Sequence, residues 1–402
     1  MSVAPVAIVG TGLAGYTIAR ELRRLDSQVP ISLFTLDEGH FYSKPMLSNG
    51  ISAGKDAASL LGKVVGNMRE QLGVQVHARS VVQSIRPDKH ELVVNDAVFS
   101  YSKLVLAVGA DPVRLSLGGD ACDRIVSINN LTDYGQLHAQ LNQARRVVIL
   151  GAGLIGCEFA NDLARAGHHI TLVEPASWPL NRLLPADIGA QLKAALTSAG
   201  VDVRCGASCD SVDSVDTALL VRLSDGCQLQ ADVVISAVGL RPNVALAQAA
   251  GLAVDKGIVA DRFLQTSAPD IYALGDCAQV DGALLPYVMP IMQCARALAA
   301  TLAGNPTAVN YPAMPIVVKT PALPLAIAPP MVNDGQWKTE AVGEGAIRAT
   351  YLNAKGQPTG FIVGGNMLAE YRKLAPTVPH WLEPLEPGMD NQRAAVQPVL
   401  AQ

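Results

Sequence analysis

Two stretches of the chain repeat one pattern of apolar and polar positions. Val6-Ala-Ile-Val runs into Gly10-Thr11-Gly12-Leu13-Ala14-Gly15, then into Tyr16-Thr-Ile-Ala-Arg-Glu-Leu, a helical pattern. Val147-Val-Ile-Leu runs into Gly151-Ala-Gly153-Leu154-Ile155-Gly156, then into Cys157-Glu-Phe-Ala-Asn-Asp-Leu. A further apolar run follows each, Ile31-Ser-Leu-Phe and Ile170-Thr-Leu-Val. Short apolar runs rich in β-branched residues predict strands buried on both faces of a parallel sheet. Each stretch therefore predicts a βαβ unit with three glycines at the strand-to-helix turn.

That glycine spacing is the dinucleotide fingerprint. The first glycine permits the tight turn. The second leaves room for a pyrophosphate to approach the backbone, and the third lets helix and strand pack closely. The diphosphate then meets the free N–H groups and positive dipole end of the helix. Glu174 ends the strand after the second motif, where a carboxylate binds ribose hydroxyls and repels a 2′-phosphate. The second unit is thus expected to take NADH rather than NADPH. In the first unit the strand ends Phe34-Thr-Leu36-Asp37, so Asp37 is displaced by two or three positions and Leu36 offers its backbone.

Three more strand ends share a signature. Tyr101-Ser-Lys-Leu-Val-Leu-Ala-Val-Gly109 and Ala231-Asp-Val-Val-Ile-Ser-Ala-Val-Gly239 are apolar runs closed by glycine, and Tyr272-Ala-Leu-Gly275-Asp276 places an acid directly after one. Beyond Asn305 prolines and short runs such as Pro315-Ile-Val-Val-Lys-Thr-Pro predict a small separate domain. The predicted class is α/β: two Rossmann-like dinucleotide-binding domains plus a small α+β C-terminal domain. From about Glu383 the chain is rich in Pro, Gln and Ala and reads as a loose tail.

Composition narrows the picture. Of 402 residues, 50% are hydrophobic and only 16% charged, which excludes an intrinsically disordered chain. The net charge of −4 provides no basic field for nucleic acid or anionic membrane. The longest apolar candidate for a membrane span, around Ile291–Gly304, is cut by Arg296, so no membrane insertion is expected. The apolar N-terminus lacks a preceding basic stretch and does not read as a signal peptide. Seven irregularly spaced cysteines without a Cys-x-x-Cys pair fit a reducing, cytoplasmic setting.

In this order the landmarks resemble the FAD-dependent pyridine nucleotide–disulfide oxidoreductase superfamily, over nearly the whole chain. The resemblance implies FAD in a domain built from 1–115 and 245–310, NADH in an inserted domain over 116–244, a C-terminal domain over 311–382 and a tail over 383–402. It implies that Gly109 and Asp276 contact FAD and that Gly239 lies at the NADH site. Disulfide reductases of the superfamily carry a Cys-x4-Cys dithiol where this chain reads Phe41-Tyr-Ser-Lys44-Pro-Met-Leu-Ser-Asn49. Without cysteines there, the flavin is expected to pass electrons directly to an external acceptor.

Tyr42-Ser-Lys44-Pro-Met-Leu-Ser resembles the Tyr-x-Arg/Lys-Pro-Pro-Leu-Ser element of the ferredoxin and rubredoxin reductase branch. Gly151-Ala-Gly-Leu-Ile-Gly-Cys-Glu158-Phe-Ala-Asn-Asp, Tyr272-Ala-Leu-Gly-Asp-Cys-Ala and Tyr287-Val288-Met-Pro are similar to bacterial rubredoxin reductases. That resemblance implies electron transfer from NADH through FAD to rubredoxin, one electron at a time, in a hydroxylase system such as alkane oxidation. It places Lys44, Glu158 and Lys319 near the flavin, the Val288 backbone at the flavin and the Val82 backbone at the adenine. Lys319, the one cation in an apolar strand, is expected to be buried and to pair with Glu158. Lys44, Arg296 and Lys319 are candidates for a basic docking surface. Two other readings share the cofactor motifs. One is a reductase of a [2Fe–2S] ferredoxin in an oxygenase system, which Asn49 disfavours because that branch carries a lysine there. The other is a flavoprotein of apoptosis-inducing-factor type, which the net charge and absent leader disfavour.

Overall fold

The computed structural model describes residues 4–343 and 345–384. Its first parallel sheet has the strand order Ile271–Ala273, Lys103–Leu106, Val6–Val9, Ile31–Phe34, Gln75–His77. Val6–Val9 and Ile31–Phe34 are buried at every position, Ser32 included, as strands covered on both faces are. Helix α1 (Leu13–Leu25) connects these two strands. The strand Ile271–Ala273, drawn from far along the chain, closes the opposite edge. The second parallel sheet has the order Val201–Cys205, His169–Glu174, Arg146–Leu150, Val233–Ser236, and helix α2 (Leu154–Arg165) connects its two middle strands. Each unit also carries a three-stranded antiparallel meander, over Val82–Ser100 in the first and Cys209–Ala231 in the second.

A short antiparallel ribbon, Ala110–Pro112 against Leu240–Pro242, ties the two units directly after Gly109 and Gly239. Asn243 N–H donates to Gly109 O and its Nδ2 to Val108 O, both at 3.0 Å. Helix α3 (Val288–Leu302) then packs against α1.

The C-terminal part is a five-stranded antiparallel sheet, Ile316–Val318, Leu325–Ala328, Pro358–Gly365, Ala346–Leu352, Gln336–Thr339. One face, with Val318, Leu325, Ile327 and Ile362, joins the core of the second unit. The other, with Ala326, Ala328, Phe361 and Val363, packs on Leu368, Leu374 and Val378. That period-2 division is how an antiparallel sheet builds two layers. The predicted tail, from 385 onward, lies outside the described residues. Among the described residues no helix is long and apolar enough to cross a membrane.

Candidate cofactor and electron-transfer site

The two glycine loops divide their labour as their spacing requires. Gly10 holds φ +113°, and a Cβ there would lie 2.2 Å from Ala107 O. One on Gly15 would lie 1.9 Å from Gly10 O. Gly151, at φ +96°, and Gly156, whose Cβ would lie 1.9 Å from Gly151 O, repeat the arrangement. Gly12 and Gly153 differ: a Cβ on either meets nothing within 4 Å. They are the helix N-caps, without a side-chain cap and without an acid in the first turn. Each helix thus offers unpartnered N–H groups to open space, the environment a diphosphate occupies. Leu13 and Leu154 are half-buried, Ala14 is buried and Ile155 is exposed beside those openings.

Around the first cradle, Thr11 is buried and donates to Thr35 Oγ1 at 3.0 Å. Thr35 in turn donates to Asp37 Oδ1 at 2.8 Å, and Gly39 N–H donates to the same oxygen. Asp37 is exposed and Leu36 is 72% exposed, and Asp37 Oδ1 organises the turn. Val82 is half-buried at the start of the meander. In the second unit Glu174 accepts Ala152 N–H at 2.7 Å and Ala176 N–H at 3.0 Å. The carboxylate therefore props the glycine loop itself, a role the ribose argument did not contain. Gly109 (φ +67°), Gly239 (φ +117°) and Gly275 (φ +84°) all occupy the left-handed region that favours glycine.

Lys44 and Asp276 come together from distant parts of the chain. Burial pulls the Lys44 ammonium below its ordinary range while Asp276, Asp111 and Asp133 hold it up. Burial lifts Asp276 and Lys44 pulls it back. Of the three candidates for a basic docking surface, Lys44 is half-buried, and Arg296 and Lys319 are exposed. Val288 opens α3, whose N-cap Tyr287 provides no side-chain bond, so this helix also presents free N–H groups.

Glu158 and Lys319 meet as expected, but their burial is reversed. Glu158 is 3% exposed, while the Lys319 side chain is 40% exposed. In the strand Ile316–Val318 and its continuation, Ile316, Val318 and Thr320 face inward, and Val317 and Lys319 face outward. The apolar Val317 concealed that alternation in the sequence. The ammonium lies 3.7 Å from Glu158 Oε2 and donates to Pro45 O, and Lys319 N–H donates to Glu158 Oε1 at 3.3 Å. Ser48 Oγ donates to Glu158 Oε2, with Asn49 Nδ2 3.4 Å from the same oxygen. Glu158 is the fifth residue of α2, past the first turn, so helix-dipole placement is not its reason for being there. It joins the segment Lys44–Asn49, the second unit and the C-terminal sheet.

The seven cysteines are all free. Cys157 donates to Ala152 O at 3.4 Å, and burial pushes its thiol far up, as burial also pushes up Cys277 and Cys294. Such thiols are inert, in keeping with the missing dithiol.

Paired dinucleotide cradles, linked by a ribbon, with a third sheet packed on the second unit, define a two-nucleotide oxidoreductase. The chain belongs to the pyridine nucleotide-disulphide oxidoreductase family, whose profile matches residues 4–301. A second profile, a rubredoxin binding C-terminal domain, matches residues 308–377. The chain is 45% identical over 377 residues to rubredoxin-NAD(+) reductase of Alcanivorax borkumensis, covering 93% of this chain and 98% of that one. It is 40% identical over 366 residues to nitric oxide reductase FlRd-NAD(+) reductase of Aeromonas salmonicida, covering 90% and 94%. Among solved structures, the ferredoxin reductase for the CYP199A2 system of Rhodopseudomonas palustris superposes with a TM-score of 0.85 at 27% identity, covering 93% and 94%. Putidaredoxin reductase in its covalent complex with putidaredoxin does so with a TM-score of 0.85 at 27% identity, covering 97% and 96%.

Proposed function

We propose that the protein is an NADH-dependent flavoprotein that carries electrons from NADH through FAD to rubredoxin. One observation carries the reading: two dinucleotide cradles without a dithiol are joined to a C-terminal domain that matches the rubredoxin-binding profile. FAD, when bound, accepts two electrons from NADH and releases them singly. The protein positions and tunes. In this reading the 10–15 loop and α1 receive the FAD diphosphate, Lys44 supplies the cation beside it, and Asp276 accepts from a ribityl hydroxyl. Leu36 and Asp37 serve the adenosine ribose, Val82 the adenine, Gly109 the close approach, and Val288 N–H the isoalloxazine. Gly151, Gly153, Leu154, Ile155, Gly156, Gly239 and Glu174 hold NADH. Glu158 and Lys319 set the field between the two cofactors. In the same reading FAD takes the domain of 1–115 and 245–310 and NADH that of 116–244, and free thiols support a cytoplasmic setting. Onward delivery to a hydroxylase of alkane oxidation rests on the resemblance alone.

Anaerobic titration tests the reading. One equivalent of NADH should bleach a flavin identified as FAD on release, and two equivalents of oxidised rubredoxin should restore its colour. Bleaching without recovery on rubredoxin would refute the assignment of the acceptor.

A further inference from the structure

Helix α2 carries three polar side chains buried to 3% exposure or less, Glu158, Asn161 and Asp162. Their i, i+3, i+4 spacing puts them on one face. The function above uses only Glu158. Asp162 forms no ion pair among the described residues. Its carboxylate is held by three donors: Ile51 N–H at 2.8 Å and Ser52 N–H at 3.3 Å on Oδ2, and Ser52 Oγ on Oδ1. Asn161 Oδ1 accepts Ala322 N–H at 2.8 Å. One helix face thus grips the chain just after the segment Lys44–Asn49 and just after Lys319. Burying an anion without a cation is costly and persists only where donors satisfy it. Packing alone would be served by an apolar side chain.

We infer that Asp162, supported by Asn161, is a positioning residue for hydride transfer, fixing α2 against the flavin-side segment 44–52. Leu154, at the N-terminus where NADH sits in the proposed function on which this inference rests, lies eight residues before Asp162. That is about 12 Å along a rigid helix. Displacement at the clamp is therefore transmitted to the nicotinamide. A misplacement of about 1 Å can cost about 100-fold in rate.

The test is the Asp162→Leu holoprotein. Leu fills a similar volume but leaves the Ile51 and Ser52 amides without their acceptor. Hydrogen exchange at the Ile51 and Ser52 amides should accelerate at least about tenfold. Flavin reduction at saturating NADH should slow at least about tenfold. The NADH dissociation constant should move less than about threefold, and reoxidation by rubredoxin should keep its rate. Should the variant fail to fold or retain flavin, Ser52→Ala removes one donor and carries the same test with an effect of about threefold. The inference is overturned if exchange rises while flavin reduction stays within twofold of the parent, or if both half-reactions slow alike. Failure of the parent flavin to be reduced by NADH, although dithionite reduces it, would instead overturn the underlying reading.

Discussion

Gly153→Val separates binding from folding. Gly153 has extended backbone, φ −71° and ψ −172°, which any residue adopts, and its Cβ meets nothing within 4 Å. Valine there should leave the fold within about 0.5 kcal/mol of the parent. Its methyl groups fill the space in front of the α2 N–H groups. Losing two charge-assisted hydrogen bonds to a diphosphate, at about 1.5 kcal/mol each, costs about 3 kcal/mol. That is about 100-fold in KM for NADH. Gly156→Ala is the counterpart. Its Cβ would lie 1.9 Å from Gly151 O, so α2 must move off the strand. Overpacking of that kind costs about 1–3 kcal/mol and lowers Tm. The assay pairs NADH-dependent flavin bleaching with thermal unfolding of both variants, using dithionite to establish that FAD is still present. Gly153→Val should unfold like the parent and bind NADH poorly, whereas Gly156→Ala should unfold early. A Gly153→Val protein with the parent KM, or one destabilised as much as Gly156→Ala, would refute the division of roles between the glycines.

Three further outcomes are expected. Lys319→Met removes the half-exposed cation 3.7 Å from the buried Glu158 carboxylate and should lower Tm modestly while shifting the flavin spectrum or midpoint potential; unchanged flavin values would remove Lys319 from the site. Glu174→Gln loses the charge and keeps an acceptor for only one of the two amides, Ala152 N–H or Ala176 N–H. The preference for NADH over NADPH in kcat/KM should fall by about tenfold, and an unaltered ratio would exclude a ribose role. Burial raises the Asp276 pKa above its ordinary value, so the folded apoprotein holds this proton more tightly than the unfolded chain does, and stability is lost as pH rises through the raised value. Asp276→Asn removes that loss. Its apoprotein should therefore gain in Tm relative to the parent as pH rises from about 4 to 7, and a gain that shrinks over this range would contradict the burial of Asp276.

Local signals were legible in the sequence. Both Rossmann units announce themselves because glycine spacing, strand and helix are neighbours in the chain. Gly109, Gly239 and Gly275 were likewise visible as strand ends, and the change of pattern past Asn305 marked the C-terminal sheet. Contacts between distant residues were less accessible. Ser48 and Glu158 are 110 residues apart, as are Ser52 and Asp162, and nothing in the local pattern of 48–52 pairs it with a helix of the second unit. One signal was available: the adjacent polar pair Asn161-Asp162 in a largely apolar helix has to be explained by partners once the helix is buried. Lys319 was misplaced for a different reason. Apolar neighbours suggested burial, but strand alternation decides which face a side chain takes, and Val317 shares its outward face.

The central claim is that electrons leave NADH through the flavin for rubredoxin. NADH consumption by the purified protein, with cytochrome c as terminal reporter, tests it most directly when rubredoxin, a [2Fe–2S] ferredoxin and no carrier are compared, each with NADH and with NADPH. Strong stimulation by rubredoxin with NADH alone is the predicted result. Stimulation by ferredoxin only, or by neither carrier despite bleaching of the flavin by NADH, would contradict it.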